Sequence, residues 1–142
     1  MNNEVRRWLE ESGDILDRLA DANGLVTRQA GRCERLLEAG DARSADALQL
    51  LWDRAADLLS VIHDAQALPP IPDAEISGRF LAVLARWEDA CSAVIGHGAA
   101  NDASAAVRAV SGLMADGVEF LLVATALGRA TGQLPDPQNP RS

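Results

Sequence analysis

The chain has 142 residues, of which 48% are hydrophobic and 24% charged, and its formal net charge is −8. This length fits one domain with its own core, and the acidic balance argues against nucleic acid as a partner, because phosphate binding needs clustered cations. All 13 basic residues are arginines, which excludes Schiff-base, pyridoxal phosphate and P-loop chemistry that depends on lysine.

Composition also leads to an expectation about compartment. The N-terminal segment lacks the apolar stretch of a signal peptide, and the longest apolar run, Phe120 to Leu127, is too short to cross a bilayer. Two cysteines in a chain of this size do not require a disulfide scaffold. We therefore expect a cytoplasmic protein without membrane association, and the abundance of Ala and Arg indicates a GC-rich bacterial genome.

The first predicted helix carries the clearest pattern in the chain. Ten residues alternate in steps of four and three, and only two of them, Ser12 and Asn23, are polar. Such a heptad stripe packs against a partner helix and predicts one long helix from about residue 3 to residue 39, ended by Gly40. The stripe consists of Val5, Leu9, Ser12, Leu16, Leu19, Asn23, Val26, Ala30, Cys33 and Leu37.

Two further helices follow with the same three-and-four spacing. The second is predicted over residues 44–67, capped by Asp41 or Ser44 and ended by a proline-rich segment. The third is predicted over residues 73–95, with Asp73 in its first turn and Gly96-His97-Gly98 as its end.

The fourth helix is predicted over residues 102–130, capped by Asn101 or Asp102. It is apolar on nearly every face between Val118 and Leu127, as expected for a central helix. Its small residues indicate either close helix packing or an apolar ligand cavity, and both interpretations stay open. These residues are Ala103, Ala106, Ala109, Gly112, Gly117 and Ala124.

These elements predict the fold class. No run of alternating β-branched residues indicates a strand, and short connections favour antiparallel neighbours. We expect an all-α, antiparallel four-helix bundle over residues 1–131 with a long N-terminal heptad-patterned helix. The proline-rich residues 132–142 are predicted to form a disordered tail.

Paired carboxylates are candidate metal ligands, because four-helix bundles often bind metal between their helices. The segment Glu10-Glu11-Ser12-Gly13-Asp14 resembles the acidic motif of all-α nucleotide pyrophosphohydrolases similar to MazG. That resemblance implies magnesium binding and triphosphate hydrolysis. The heptad stripe instead predicts that Glu11 and Asp14 face solvent, so we expect no metal site, cofactor or catalytic residue.

Cysteine and histidine give a similar expectation. Cys33 belongs to the heptad stripe and Cys91 lies beside the stripe of the third helix, so both are predicted to be buried and unreactive. His63 is predicted on an outer face and His97 in a turn. The two cysteines and two histidines lack the spacing of a zinc site.

The remaining candidates point to protein–protein contact. Trp8, Leu9, Ile15, Asn23 and Trp52 are predicted interaction residues, because an overhanging first helix would leave Trp8 and Leu9 uncovered. Asn23 either sets helix register or marks a kink before Gly24. We expect a non-enzymatic interaction protein that forms a homodimer; a bundle that binds a small apolar ligand and a magnesium-dependent hydrolase are the alternatives.

Overall fold

The computed structural model describes residues 3–132, apart from the side chains of Met114 and Ala115. It contains four helices: α1 (Asn3–Glu38), α2 (Ser44–Gln66), α3 (Ala74–Ala99) and α4 (Ala103–Ala130). No strand occurs in these described residues. The predicted all-α fold is confirmed, whereas the predicted tail lies almost entirely outside the described residues.

The helices form a ring. α1 packs on α2, α2 on α3, α3 on α4, and α4 returns to α1, whereas the diagonal contact of α2 with α4 is slight. Short connections make neighbouring helices antiparallel. The contact of α1 with α4 is the least extensive of the four side-by-side contacts.

The core forms along the inward stripes of all four helices. Trp87 of α3 is fully buried, and its ring lies 5.1 Å from that of Phe120 on α4. On α1 the heptad stripe divides in two. Its members one heptad apart, Val5, Ser12, Leu19, Val26 and Cys33, are buried. Of the other five, Ala30 is buried, whereas Leu9, Leu16, Asn23 and Leu37 are only half-buried.

Three of the four predicted helices match the observed bounds within one residue. α3 differs, because it continues through Gly96-His97-Gly98 to Ala99. Glycine lowers helix propensity by about 1 kcal/mol, which tertiary packing outweighs here. The helix ends instead near Asn101, whose φ of 58° lies in the left-handed region.

Two predicted helix starts are anchored by aspartates. The Asp73 side chain accepts a hydrogen bond from the Ile76 amide at 3.0 Å, and Asp102 does the same for Ala105 at 3.1 Å. Asp73 therefore precedes α3 as its N-cap and does not lie within the first turn.

The predicted cap of α2 is wrong. Its N-cap is Arg43, and no side chain bonds to the first-turn amides. Asp41 instead forms an ion pair with Arg43 at 2.7 Å. The hydrogen bonds from Arg43 hold the pKa of Asp41 down, at about 2.

The prediction that Trp8 is uncovered is also wrong. Trp8 is 4% exposed, lies edge-on to Phe80 with ring centres 6.1 Å apart, and donates its indole N–H to the Pro69 carbonyl at 2.6 Å. α1 is indeed longer than its neighbours, at 36 residues against 23 in α2. The proline-rich connection between α2 and α3 packs on its start, so the extra length does not leave Trp8 in solvent.

Candidate functional site

An open groove with a volume of about 510 Å³ lies between α1 and α4. We call it the α1–α4 groove. Only one of its lining residues, Asp17, is charged. The lining comprises Leu9, Gly13, Leu16, Asp17 and Ala20 of α1 and Phe120, Leu121, Val123, Ala124, Leu127 and Gly128 of α4.

The groove exists because several residues on its walls are small. Gly13 and Ala20 of α1 face Ala124 and Gly128 of α4 across it, and these residues supply little side-chain volume to fill the gap. A Cβ added at Gly13 would meet nothing within 4 Å. The predicted stripe of small residues on the fourth helix therefore contributes to an open groove at Ala124, whereas Ala106 is buried in the core.

Apolar surface continues from the groove onto the outer face of α4. Leu121 is 65% exposed, Val118 63% and Leu122 48%. Single exposed apolar residues are ordinary on protein surfaces, but a contiguous apolar patch marks a contact site. We call these three residues together the α4 apolar face.

α4 also has the length and hydropathy of a membrane-spanning helix, with 25% of its most apolar window buried. A core helix of a soluble protein passes the same test. The short apolar run seen in the sequence therefore understated how apolar α4 is along its whole length. The feature that distinguishes α4 from an ordinary core helix is its exposed apolar face.

A row of carboxylates runs along α1 beside the groove, and one of them, Asp17, lines it. Glu10, Asp14, Asp17 and Asp21 follow steps of four, three and four, so they share one face of α1. All four are exposed, and none forms an ion pair within residues 3–132. We call these four residues the acidic rim.

Arginines are absent from this part of the groove wall. The only one on α1 between Trp8 and Thr27 is Arg18, which lies on another face and contacts Asp64 of α2 at 3.5 Å. On α4 the charged Glu119 is turned to the opposite side, where it bonds to Arg79 of α3 at 3.0 Å. Among the described residues, the acidic rim thus carries negative charge without ion-pair partners beside an apolar groove.

Asn23 lies just beyond the groove on α1. Its Oδ1 is buried without a hydrogen-bond partner, and its Nδ2 would lie 3.7 Å from a Cβ placed on Gly117 of α4. α1 runs unbroken through Asn23 and Gly24. Asn23 therefore does not end the helix, and it faces α4 of its own chain.

The other predicted interaction residues are dispersed. Leu9 lines the groove, whereas Ile15 is half-buried against the core of its own bundle. Trp52 is also half-buried and contacts Gly98 of α3, on the edge of a separate hollow of about 330 Å³. Of the five candidates only Leu9 belongs to the α1–α4 groove.

The sequence did not identify the acidic rim or the exposed apolar face of α4 as one site. The sequence does show the helical spacing of the carboxylates on α1 and the apolar character of the fourth helix. It does not show which helix packs beside α1, or how much of α4 that packing covers.

Magnesium binding at Glu11 and Asp14, which the resemblance implies, would require both side chains to point into the bundle. Both side chains are exposed, as the heptad stripe predicts. In the part of the chain that the structure describes, no group of three or more His, Cys, Asp or Glu residues could hold a metal ion. The Glu-Glu-Ser-Gly-Asp segment therefore contributes carboxylates to a solvated face of α1.

The two cysteines are free and buried. Burial raises the pKa of the Cys33 thiol and raises that of Cys91 to about 12, so neither is a thiolate at neutral pH. His63 is exposed and lies 3.2 Å from Glu88, and His97 is exposed on the last turn of α3.

Comparisons with protein-family models, with curated proteins and with solved structures found no match to this chain. The α1–α4 groove and the acidic rim are therefore the structural features that bear on its function.

Proposed function

We propose that this protein is a non-enzymatic interaction protein that binds a partner helix in the α1–α4 groove. The observation that carries the proposal is the α4 apolar face, which continues an apolar groove that residues 3–132 leave open. Uncovered apolar surface of this kind is stabilised by a partner, and grooves between two helices accept the apolar face of a third.

A homodimer is the alternative occupant of the same surface. Trp8 is buried and is not available to a second copy, so we expect such a dimer to use the α4 apolar face. Sedimentation velocity across a micromolar concentration series detects it. Leu121→Asp should then dissociate the dimer, whereas Leu81→Asp, on the exposed side of α3, should not.

The groove itself is tested with a dye attached to a single introduced cysteine. Leu122→Cys places the dye on the α4 apolar face, and Leu81→Cys places it on α3 at similar exposure, 48% against 50%. The native thiols stay unlabelled at neutral pH, because burial raises their pKa values.

The probe is an amphipathic helical peptide of about 18 residues, with leucines on one face and glutamines on the other. Saturable emission changes at position 122 and not at position 81 are expected. Equal responses at both positions, or none at position 122, would reject the groove as a docking site.

A small apolar ligand is the second candidate, favoured by the volume of about 510 Å³, which falls within the range of small-molecule pockets. Such a ligand should raise the melting temperature of the protein and compete with the peptide. Filling the floor with Gly13→Leu or Ala124→Phe should abolish ligand binding.

A further inference from the structure

We propose that the partner helix is basic, with arginine or lysine along the edge that faces α1. The inference rests on the proposed function, since it names the chemistry of the helix that the α1–α4 groove receives. It is carried by the acidic rim, whose four carboxylates are exposed and lack ion-pair partners among the described residues.

The rim and the groove have matching lengths. Leu9 to Ala20 on the groove wall and Glu10 to Asp21 on the rim each span about 17 Å at 1.5 Å per residue. A helix of about three turns would fill this length. Its apolar side chains would recur every three or four residues against the groove, with cations at the same spacing along one edge.

The negative charge of the acidic rim favours some binding partners of the α1–α4 groove over others. A second copy would bring another chain of net charge −8 and a second acidic rim to the same interface, which like-charge repulsion opposes. An anionic membrane surface would be repelled for the same reason. A basic helix gains from both the apolar groove and the rim.

The test uses three fluorescent helical peptides with the same leucine face and with arginine, glutamine or glutamate along one edge. Binding is measured by fluorescence anisotropy on the full chain at low and high salt. The arginine peptide should bind most tightly and the glutamate peptide least, and the difference should shrink at high salt because exposed pairs are screened.

Substitutions in the acidic rim measure how much its carboxylates contribute to binding. Asp14→Asn, Asp17→Asn and Asp21→Asn together should weaken the arginine peptide by about fivefold to tenfold at low salt and leave the glutamine peptide unchanged. The matched control is Asp46→Asn, Asp53→Asn and Asp57→Asn, which removes the same charge from exposed positions of α2. This control should change binding by less than about twofold.

The outcomes separate the two proposals. Equal binding of the arginine and glutamate peptides would overturn the basic partner while leaving the groove as a docking site. No binding of any peptide would overturn both. A dimer dissociated by Leu121→Asp, or anionic vesicles bound as tightly as the arginine peptide, would assign the groove to a second copy or to lipid and overturn the inference.

Discussion

At the residue scale, we expect two buried thiols to make this protein less stable at alkaline pH. The chain has no Tyr and no Lys, so Cys33 and Cys91 are the side chains that titrate between the histidine and arginine ranges. Burial raises the pKa of Cys91 from 9.0 to about 12. Above pH 9 the unfolded chain loses thiol protons that the native state keeps.

The free energy of unfolding should therefore be unaffected by these thiols below pH 9 and fall as pH rises from about 9 to about 12. The slope should approach about 1.4 kcal/mol per pH unit for Cys91, and Cys33 should add to it in the same direction. Urea unfolding at several pH values measures it, with Cys91→Ala as the comparison. An equally steep alkaline slope in that variant would contradict this assignment.

Trp8 is a second residue-scale case, since it is a core residue with a satisfied indole N–H. Trp8→Ala should lower the free energy of unfolding by about 3–5 kcal/mol, because it removes a buried aromatic side chain and its hydrogen bond to Pro69. Trp52→Ala should cost clearly less, because Trp52 is only half-buried. Chemical denaturation compares them; equal losses would contradict the packing described for Trp8.

At the scale of the element, helix periodicity was enough to place all four helices. The three-and-four spacing identifies the buried stripe without knowledge of the partner helix, and aspartate caps fix the starts of α3 and α4. The end of α3 could not be predicted in this way. Its final turn is held by packing of Gly98 on Trp52, a contact between residues distant in sequence.

Two glycines in that final turn provide a matched test. A Cβ at Gly96 would meet nothing within 4 Å, whereas one at Gly98 would lie 2.9 Å from Trp52 Cδ1. Gly96→Ala should raise the free energy of unfolding by about 0.5 kcal/mol through helix propensity. Gly98→Ala should lower it by about 1 kcal/mol, because the Trp52 ring must move.

Thermal or urea unfolding of both variants checks the prediction. If Gly98→Ala were as stabilising as Gly96→Ala, Trp52 would not pack on this turn as described.

At the scale of the whole molecule, the apolar periodicity predicted the fold class, but it did not predict which apolar residues the rest of the chain covers. An apolar stripe predicts that its residues are covered. It does not predict whether another helix, a loop between helices or a second chain covers them. Trp8 is covered by the connection between α2 and α3, whereas Leu121 is left exposed by α1. These outcomes depend on how four helices share one core.

The position of the acidic rim relative to other surfaces is also known only once the four helices are packed together. In the sequence, the carboxylates at positions 10, 14, 17 and 21 show only a helical spacing. In the fold they border the groove left by the loosest of the side-by-side helix contacts. We therefore expect this face of the bundle, with its apolar groove and its acidic rim, to be the contact surface of the protein.

Amide chemical-shift mapping of the labelled protein, titrated with the arginine-edged peptide, tests this claim most directly. We expect saturable shifts concentrated in residues 9–21 of α1 and 117–128 of α4, with the amides around Trp52 and Leu81 unchanged. Shifts that concentrate around Trp52 or Leu81, or that spread evenly over all four helices, would contradict it.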